Sequence, residues 1–156
     1  MKVRFDMVAC FVVRPGERAG SHELLQLRRA AGDFMGGAWS TVRGKVEEGE
    51  TAWAAALREL REEAGLTPRE FYQLDTVDIF YLHGDDTIWH CPGFCAVVDR
   101  NAEAILNSEH DAHRWIDRGK IDSEFLWPGE RAQLAELCRE ILDNGKAKPY
   151  LRIKVE

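Results

Sequence analysis

The chain has 156 residues, 45% of them hydrophobic, which is enough for a domain with its own core and too apolar for a disordered chain. Its formal net charge of −6 argues against a general nucleic-acid binder working through a basic surface. No apolar run reaches membrane-spanning length, and the N-terminus, with a charge inside its apolar stretch, reads as a first strand and not as a signal peptide.

Taken in order, Val3 to Val13 is β-rich and mostly apolar and predicts a central strand. Pro15-Gly16 through Ser21 is a turn. His22 to Arg29 is the antiparallel partner and ends in Arg28 and Arg29, which are either solvated or placed to meet phosphate, as arginine does bidentately. Ala30 to Ala38 is a loop. Trp39 to Val46 is a short extended segment leading into a second loop, where Gly44 and Gly49 permit turns. A helix follows, capped by Glu50 or Thr51 and stopped by Gly65 and Pro68.

Phe71 to His83 and Thr87 to Val98 predict two long strands joined by a hairpin at Gly84-Asp85-Asp86. Glu103 to Leu106 predicts a short edge piece, and Ala112 to Ile116 a further strand. Pro128 opens a second helix whose buried face is Leu134, Leu137, Cys138 and Ile141, with Asn144-Gly145 as its stop. The tail, KAKPYLRIKV, either adds an edge strand or meets a partner chain, which leaves a homodimer open. No repeat or linker interrupts residues 1–156, so one domain is expected. The order β-β-loop-α-β-β-β-α places a mixed sheet between helices, an α/β fold of the α/β/α sandwich type. Cys10, Cys91, Cys95 and Cys138 lack zinc-site spacing and read as small apolar residues of a reducing cytoplasm.

The first helix carries the chemistry. At about 100° per residue, Glu59, Glu62 and Glu63 fall within one arc. Trp53, Leu57, Leu60 and Ala64 have the spacing of a core stripe nearly opposite, and Ala52, Ala55 and Ala56 leave room on the acidic side. Glu59 has a like charge at both i+3 and i+4, which is unfavourable on an isolated helix, and only Arg58, i,i+4 from Glu62, offsets it. The face is either a solvated acidic surface or a seat for a hard cation, and oxygen donors suit Mg²⁺ or Mn²⁺.

The spacing of the whole stretch favours the cation. Gly44, five residues, Glu50, seven residues, then Arg58-Glu59-Leu60-Arg61-Glu62-Glu63-Ala64-Gly65-Leu66 matches every position of the signature of the Nudix hydrolases. The chain resembles that family most closely over residues 39–66. The resemblance implies an α/β/α sandwich that uses divalent metal to hydrolyse a nucleoside diphosphate linked to another group. It implies Glu59, Glu62 and Glu63 as metal ligands, joined by a backbone carbonyl at or beside Gly44. It implies a supporting ion pair of Glu50 with Arg58. Lys45 either reaches a phosphate or is solvated. The general base is either Glu59 or Glu109, the latter standing in Glu109-His110-Asp111-Ala112-His113-Arg114-Trp115. His110 and His113 read as packed or solvated.

Trp39-x-x-Val42-x-Gly44, together with Glu109-His110 and Trp115-Ile116-Asp117, resembles the dATP and dihydroneopterin triphosphate pyrophosphohydrolases. That resemblance implies release of pyrophosphate from a nucleoside or pterin triphosphate as the small-molecule partner. Trp39 and Arg28 would be substrate contacts, and Arg58 would join Glu59 and Glu109 in the catalytic set. Many diadenosine polyphosphate and oxidised-nucleotide hydrolases carry a Pro-Gly-Gly run where this chain has Trp-Ser-Thr-Val-Arg, so those substrates rank lower, as does a non-catalytic nucleotide sensor. Trp89, Phe94, Trp127 and Tyr81 either stack on a base or pterin or belong to the core.

Overall fold

A computed structural model describes residues 1–32 and 34–155; Asp33, in the predicted loop, and Glu156 lie outside them. The chain runs β1 (Lys2–Arg4), β2 (Met7–Pro15), β3 (His22–Arg29), β4 (Trp39–Ser40), β5 (Val42–Lys45), α1 (Ala52–Ala64), β6 (Glu70–Gln73), β7 (Asp78–Leu82), β8 (Thr87–Cys91), β9 (Gly93–Val97) and β10 (His110–Asp117). Then come α2 (Ile121–Glu124), α3 (Pro128–Glu136), α4 (Lys148–Leu151) and β11 (Arg152–Ile153). A π-helical turn, Leu137–Leu142, continues α3.

β2 is the axis of the main sheet, whose order is β10-β3-β2-β9-β6-β11. It runs parallel to β9 and antiparallel to β3, so the sheet is mixed. β2 and β3 pair only from Val13 to Pro15 and then splay apart. The segment from Trp39 to Lys45 fills the wedge, with β4 on β3 and β5 on β2. Thr41, between them, is buried and donates its hydroxyl to the Cys10 carbonyl at 2.9 Å. This wedge brings Gly44 to the middle of the sheet, opposite Val8.

Side chains of β2 alternate between two cores, as the pleat requires. Ala9, Phe11 and Val13 meet Leu134, Leu137 and Ile141 on the α3 side. Val8, Cys10 and Val12 meet Ala55, Ala56, Leu60 and Ala64 on the α1 side. The α/β/α sandwich thus forms from strands apolar on both faces. The described cysteines are all free, and burial pushes the Cys10, Cys91 and Cys95 thiols up, Cys91 to about 11.

Several boundaries differ from the sequence expectation, three of them because the chain changes sheets. The first predicted strand breaks at Phe5–Asp6, where exposed Arg4 and Asp6 pair. β1 then lies parallel to β8 in a separate sheet, β1-β8-β7. The two long strands also split, into β6 and β7 and into β8 and β9. Between β6 and β7 the N–H groups of Asp75 and Thr76 are capped by the buried Glu136 carboxylate at 2.6 and 2.8 Å. Between β8 and β9, Pro92 has no N–H to give a ladder, while its carbonyl accepts from Ala9 N–H at 3.0 Å. Glu103 to Leu106 forms no strand; instead Ile105 N–H caps the last turn of α1 at the Ala64 carbonyl, 2.8 Å away. The tail does pair with the sheet, β11 on β6.

Candidate active site

Helix α1 begins at Thr51, whose hydroxyl accepts from Ala54 N–H at 3.2 Å, and ends at Gly65 in the left-handed region. Its buried face is Ala55, Ala56, Leu60, Glu63 and Ala64. This corrects the expected core stripe: Trp53 is 43% exposed. The alanines leave no room for a ligand. They let the helix lie close on the sheet, and Glu63, only 3% exposed, is carried into the interface with them. The acidic arc therefore points partly inward.

Gly44 is likewise not a turn residue. It sits within β5, and a Cβ there would meet Glu59 Cδ at 2.1 Å. Glycine leaves open the space that the Glu59 side chain crosses, so a larger residue would make that side chain shift. Gly49, at φ +80°, does serve the turn.

Arg58 ties loop and helix together. Its Nε and Nη2 donate to the two Glu50 oxygens at 2.8 and 3.0 Å, and Nη2 also donates to the Lys45 carbonyl at 2.8 Å. Its Nη1 reaches Glu59 Oε1 at 2.8 Å and Glu62 Oε2 at 3.2 Å. This guanidinium beside Glu50 draws that carboxyl down to about 2. One cation is shared by four carboxylates, Glu47 lying 3.8 Å from Nη1, and Glu63 is not among them.

Glu63 Oε2 accepts from the Arg43 backbone N–H at 3.1 Å, and Oε1 lies 3.8 Å from His110 Nδ1. Ligand atoms of Glu63, Glu109 and His110 lie within 4.8 Å of one another. The two segments meet because β10 pairs with β3, with His110 opposite Arg29, and a register shift between His110 and Ala112 re-aims the strand's start. Burial, then the charges of Glu59 and Glu109, raise the Glu63 carboxyl to about 9. Burial raises Glu59 as well, with Arg58 opposing. Such a carboxylate cluster resists ionisation until a cation joins it.

The family model of the NUDIX domain matches residues 4–137. The chain belongs to the NUDIX family. It is 27% identical over 122 residues to the 8-oxo-dGTP diphosphatase of Escherichia coli, a match covering 78% of this chain and 91% of that one. It is 32% identical over 107 residues to the dihydroneopterin triphosphate diphosphatase of E. coli, covering 60% and 67%. The solved structure of E. coli dihydroneopterin triphosphate pyrophosphohydrolase superposes with a TM-score of 0.66 at 22% identity, covering 88% of this chain and 96% of that one, and shares the fold. A Myxococcus xanthus relative is 36% identical over 89 residues, 53% of this chain, and the chain spans only 23% of that relative's length. This is a Nudix hydrolase, of the class that acts on phosphoric anhydride bonds.

Around the Nudix helix the other sequence candidates divide. Arg28 donates to Asp111 at 2.7 Å and lies over the Trp39 ring, which also carries Arg114 at 4.2 Å. Arg28, Asp111, Gly32, Gly36 and Gly37 line a shallow open hollow beside that loop. Lys45 is exposed at the end of β5, and His113 is exposed. Phe94 stacks on Phe71 in the core, and Trp89 is buried under Arg4; Trp127 and Tyr81 remain exposed. Two contacts of Glu63 escape sequence reasoning. Arg43 acts there through its backbone, which no residue type announces. His110 is buried although it stands in a polar run, and only the strand register reveals it.

Proposed function

We propose that this enzyme cleaves a nucleoside or pterin triphosphate to the monophosphate and pyrophosphate, using Mg²⁺, with Mn²⁺ also suited. Glu59, Glu62 and Glu63 would hold the ion beside Gly44. The observation that carries the reading is the meeting of Glu63 with Glu109 and His110 within 4.8 Å, a group that includes neither Glu59, which Arg58 holds, nor the exposed Glu62, so those two would have to turn toward the ion. The donor set fits a divalent ion, being rich in carboxylate oxygen and short of positive charge. When bound, that ion supplies neutralisation of the pyrophosphate charge and acidification of water.

The chain's own residues do the rest. Arg58 and Glu50 lock the loop to the helix, so that the Lys45 carbonyl and Glu59 keep fixed places. Glu59 is committed to Arg58, which leaves Glu109 as the proton acceptor for the attacking water. Lys45 and Arg28, flanking the wedge, would meet the polyphosphate, and the Trp39 ring under Arg28 supports that role. The single domain of residues 1–156 would act in the cytoplasm on a small molecule.

The Trp39-to-Ala52 pattern and the likeness to a dihydroneopterin triphosphate diphosphatase support a triphosphate substrate. A second reading, oxidised nucleotides, is favoured by the likeness to an 8-oxo-dGTP diphosphatase across 91% of its length. The test is a panel of dATP, 8-oxo-dGTP, dihydroneopterin triphosphate and diadenosine tetraphosphate with Mg²⁺, detecting pyrophosphate and phosphate separately. Pyrophosphate from dATP or the pterin is expected. Cleavage of the dinucleotide alone would overturn the reading, as would calorimetric binding without turnover.

A further inference from the structure

The pleat of β5 turns Gly44 toward α1, opposite Val8, and Arg43 toward α3, opposite Ala9. The Arg43 guanidinium is therefore set on the far side of the sheet from the carboxylate cluster. There its Nη2 pairs with Glu130 Oε2 at 3.1 Å, and Glu130 is 2% exposed. Nη1 lies 3.9 Å from Cys91 Sγ. Asp78, also buried, faces the pair from β7 and rests against Gly129, where a Cβ would meet Asp78 Oδ1 at 1.8 Å. Glu130 accepts in turn from Trp127 N–H at 3.4 Å, at the start of α3. Arg43's own backbone N–H donates to Glu63 Oε2 at 3.1 Å. One residue thus joins α3, through a buried ion pair, to the carboxylate that α1 brings in from the opposite face.

We propose that Arg43 is a positioning residue: its side chain, clamped by Glu130, fixes the backbone N–H that orients Glu63 toward Glu109 and His110. This rests on the reading of Glu63 as a metal ligand. A carboxylate accepting one fixed backbone N–H has its second oxygen aimed by that bond, and outer partners of metal ligands commonly govern affinity by tenfold or more. Burying a guanidinium and a carboxylate for packing alone is poor economy of stability, since apolar pairs of similar size do as well.

The experiment reads Mn²⁺ binding to the full chain without nucleotide, by electron paramagnetic resonance of the free ion, with thermal unfolding in EDTA alongside. Arg43→Met should weaken Mn²⁺ about tenfold, but it strands Glu130 and is destabilised or unfolded. The deciding variant is therefore Arg43→Met with Glu130→Met, which removes both charges of the pair and, with Asp78 still facing the site, should unfold closer to the wild-type temperature than the single variant. It should still bind Mn²⁺ about tenfold more weakly. Wild-type Mn²⁺ affinity in this double variant would overturn the proposal, because the ion pair would then serve stability only. Glu63→Gln is the separate control: wild-type Mn²⁺ affinity there would sink the metal-ligand reading itself, whatever the double variant does.

Discussion

The two faces of the central sheet handle buried charge in opposite ways. On the α3 face, Arg43 and Glu130 neutralise each other, Gln133 donates to the Thr76 carbonyl at 3.0 Å, and Glu136 caps two backbone N–H groups. On the α1 face, Glu59 and Glu62 share the Arg58 guanidinium, whereas Glu63 accepts a backbone N–H and the weaker pull of Arg29 does not offset burial, which holds its carboxyl up at about 9. Charge compensated from within builds structure; charge left uncompensated at a helix–sheet seam waits for a ligand. Equivalent substitutions on the two faces should therefore fail in different ways.

The largest effect is expected from Glu63→Gln. Turnover should fall by more than about a hundredfold, since a direct ligand matters more than the outer partners that already govern ten- to hundredfold changes. The metal-free protein should meanwhile melt no lower than wild type, because no compensated charge is lost. Its counterpart, Glu130→Gln, should cost about 3 kcal/mol of stability by leaving Arg43 buried without its partner. Steady-state kinetics and urea titration on the same two variants would collapse the comparison if Glu63→Gln unfolded and Glu130→Gln did not.

Two further substitutions sharpen the acidic face. Glu109→Gln should lower kcat about a hundredfold, the range of a lost general base, with Mn²⁺ affinity changed less. A wild-type kcat would move the base to Glu59. Gly44→Ala should reduce activity about tenfold and destabilise by about 1–3 kcal/mol, since the added methyl drives into the Glu59 carboxyl group. An unchanged Gly44→Ala enzyme would mean that Glu59 has an alternative place to sit.

Much of this was legible in the chain, and what was not has definite physical causes. The bounds of β3 from His22 to Arg29, and the Thr51 and Gly65 ends of α1, follow from local chemistry: a turn before an apolar run that ends in a basic pair, a capping hydroxyl and a left-handed stop. The Glu50–Arg58 pair was readable because the signature fixes its spacing, and the two partners meet across a single loop. The splitting of β6 from β7 and of β8 from β9 was not readable, because strand alternation looks the same whichever sheet receives it. Helix periodicity misplaced the core of α1 because it assumes that apolar residues alone are buried, whereas Glu63 is buried and Trp53 is not. Gly44 was mistaken for a turn residue because glycine has two uses, and only the position of Glu59 distinguishes them.

The last expected effect, spread over several pH units, separates the two faces by pH. In the metal-free protein, burial raises the native Glu63 carboxyl to about 9, while the unfolded chain releases the proton near the ordinary glutamate value of 4.5. The native state then binds more protons than the unfolded one throughout that window. Stability contributed by this group accordingly falls as pH rises, by at most about 1.4 kcal/mol per pH unit. Glu50 works the other way and lower down: held to about 2 by Arg58, it contributes stability above 4.5 that is lost only as pH drops toward 2. Subtracting the Glu63→Gln curve from wild type removes the titrations that Glu63 does not touch and leaves its own together with its coupling to Glu59 and Glu109. The difference in EDTA should slope downward between pH 5 and 8, and added Mg²⁺ should flatten or invert it, because a cation favours the ionised carboxylate and expels the proton. A flat difference curve in EDTA would mean that Glu63 is already ionised without metal, and the α1 face would then be as well compensated as the α3 face.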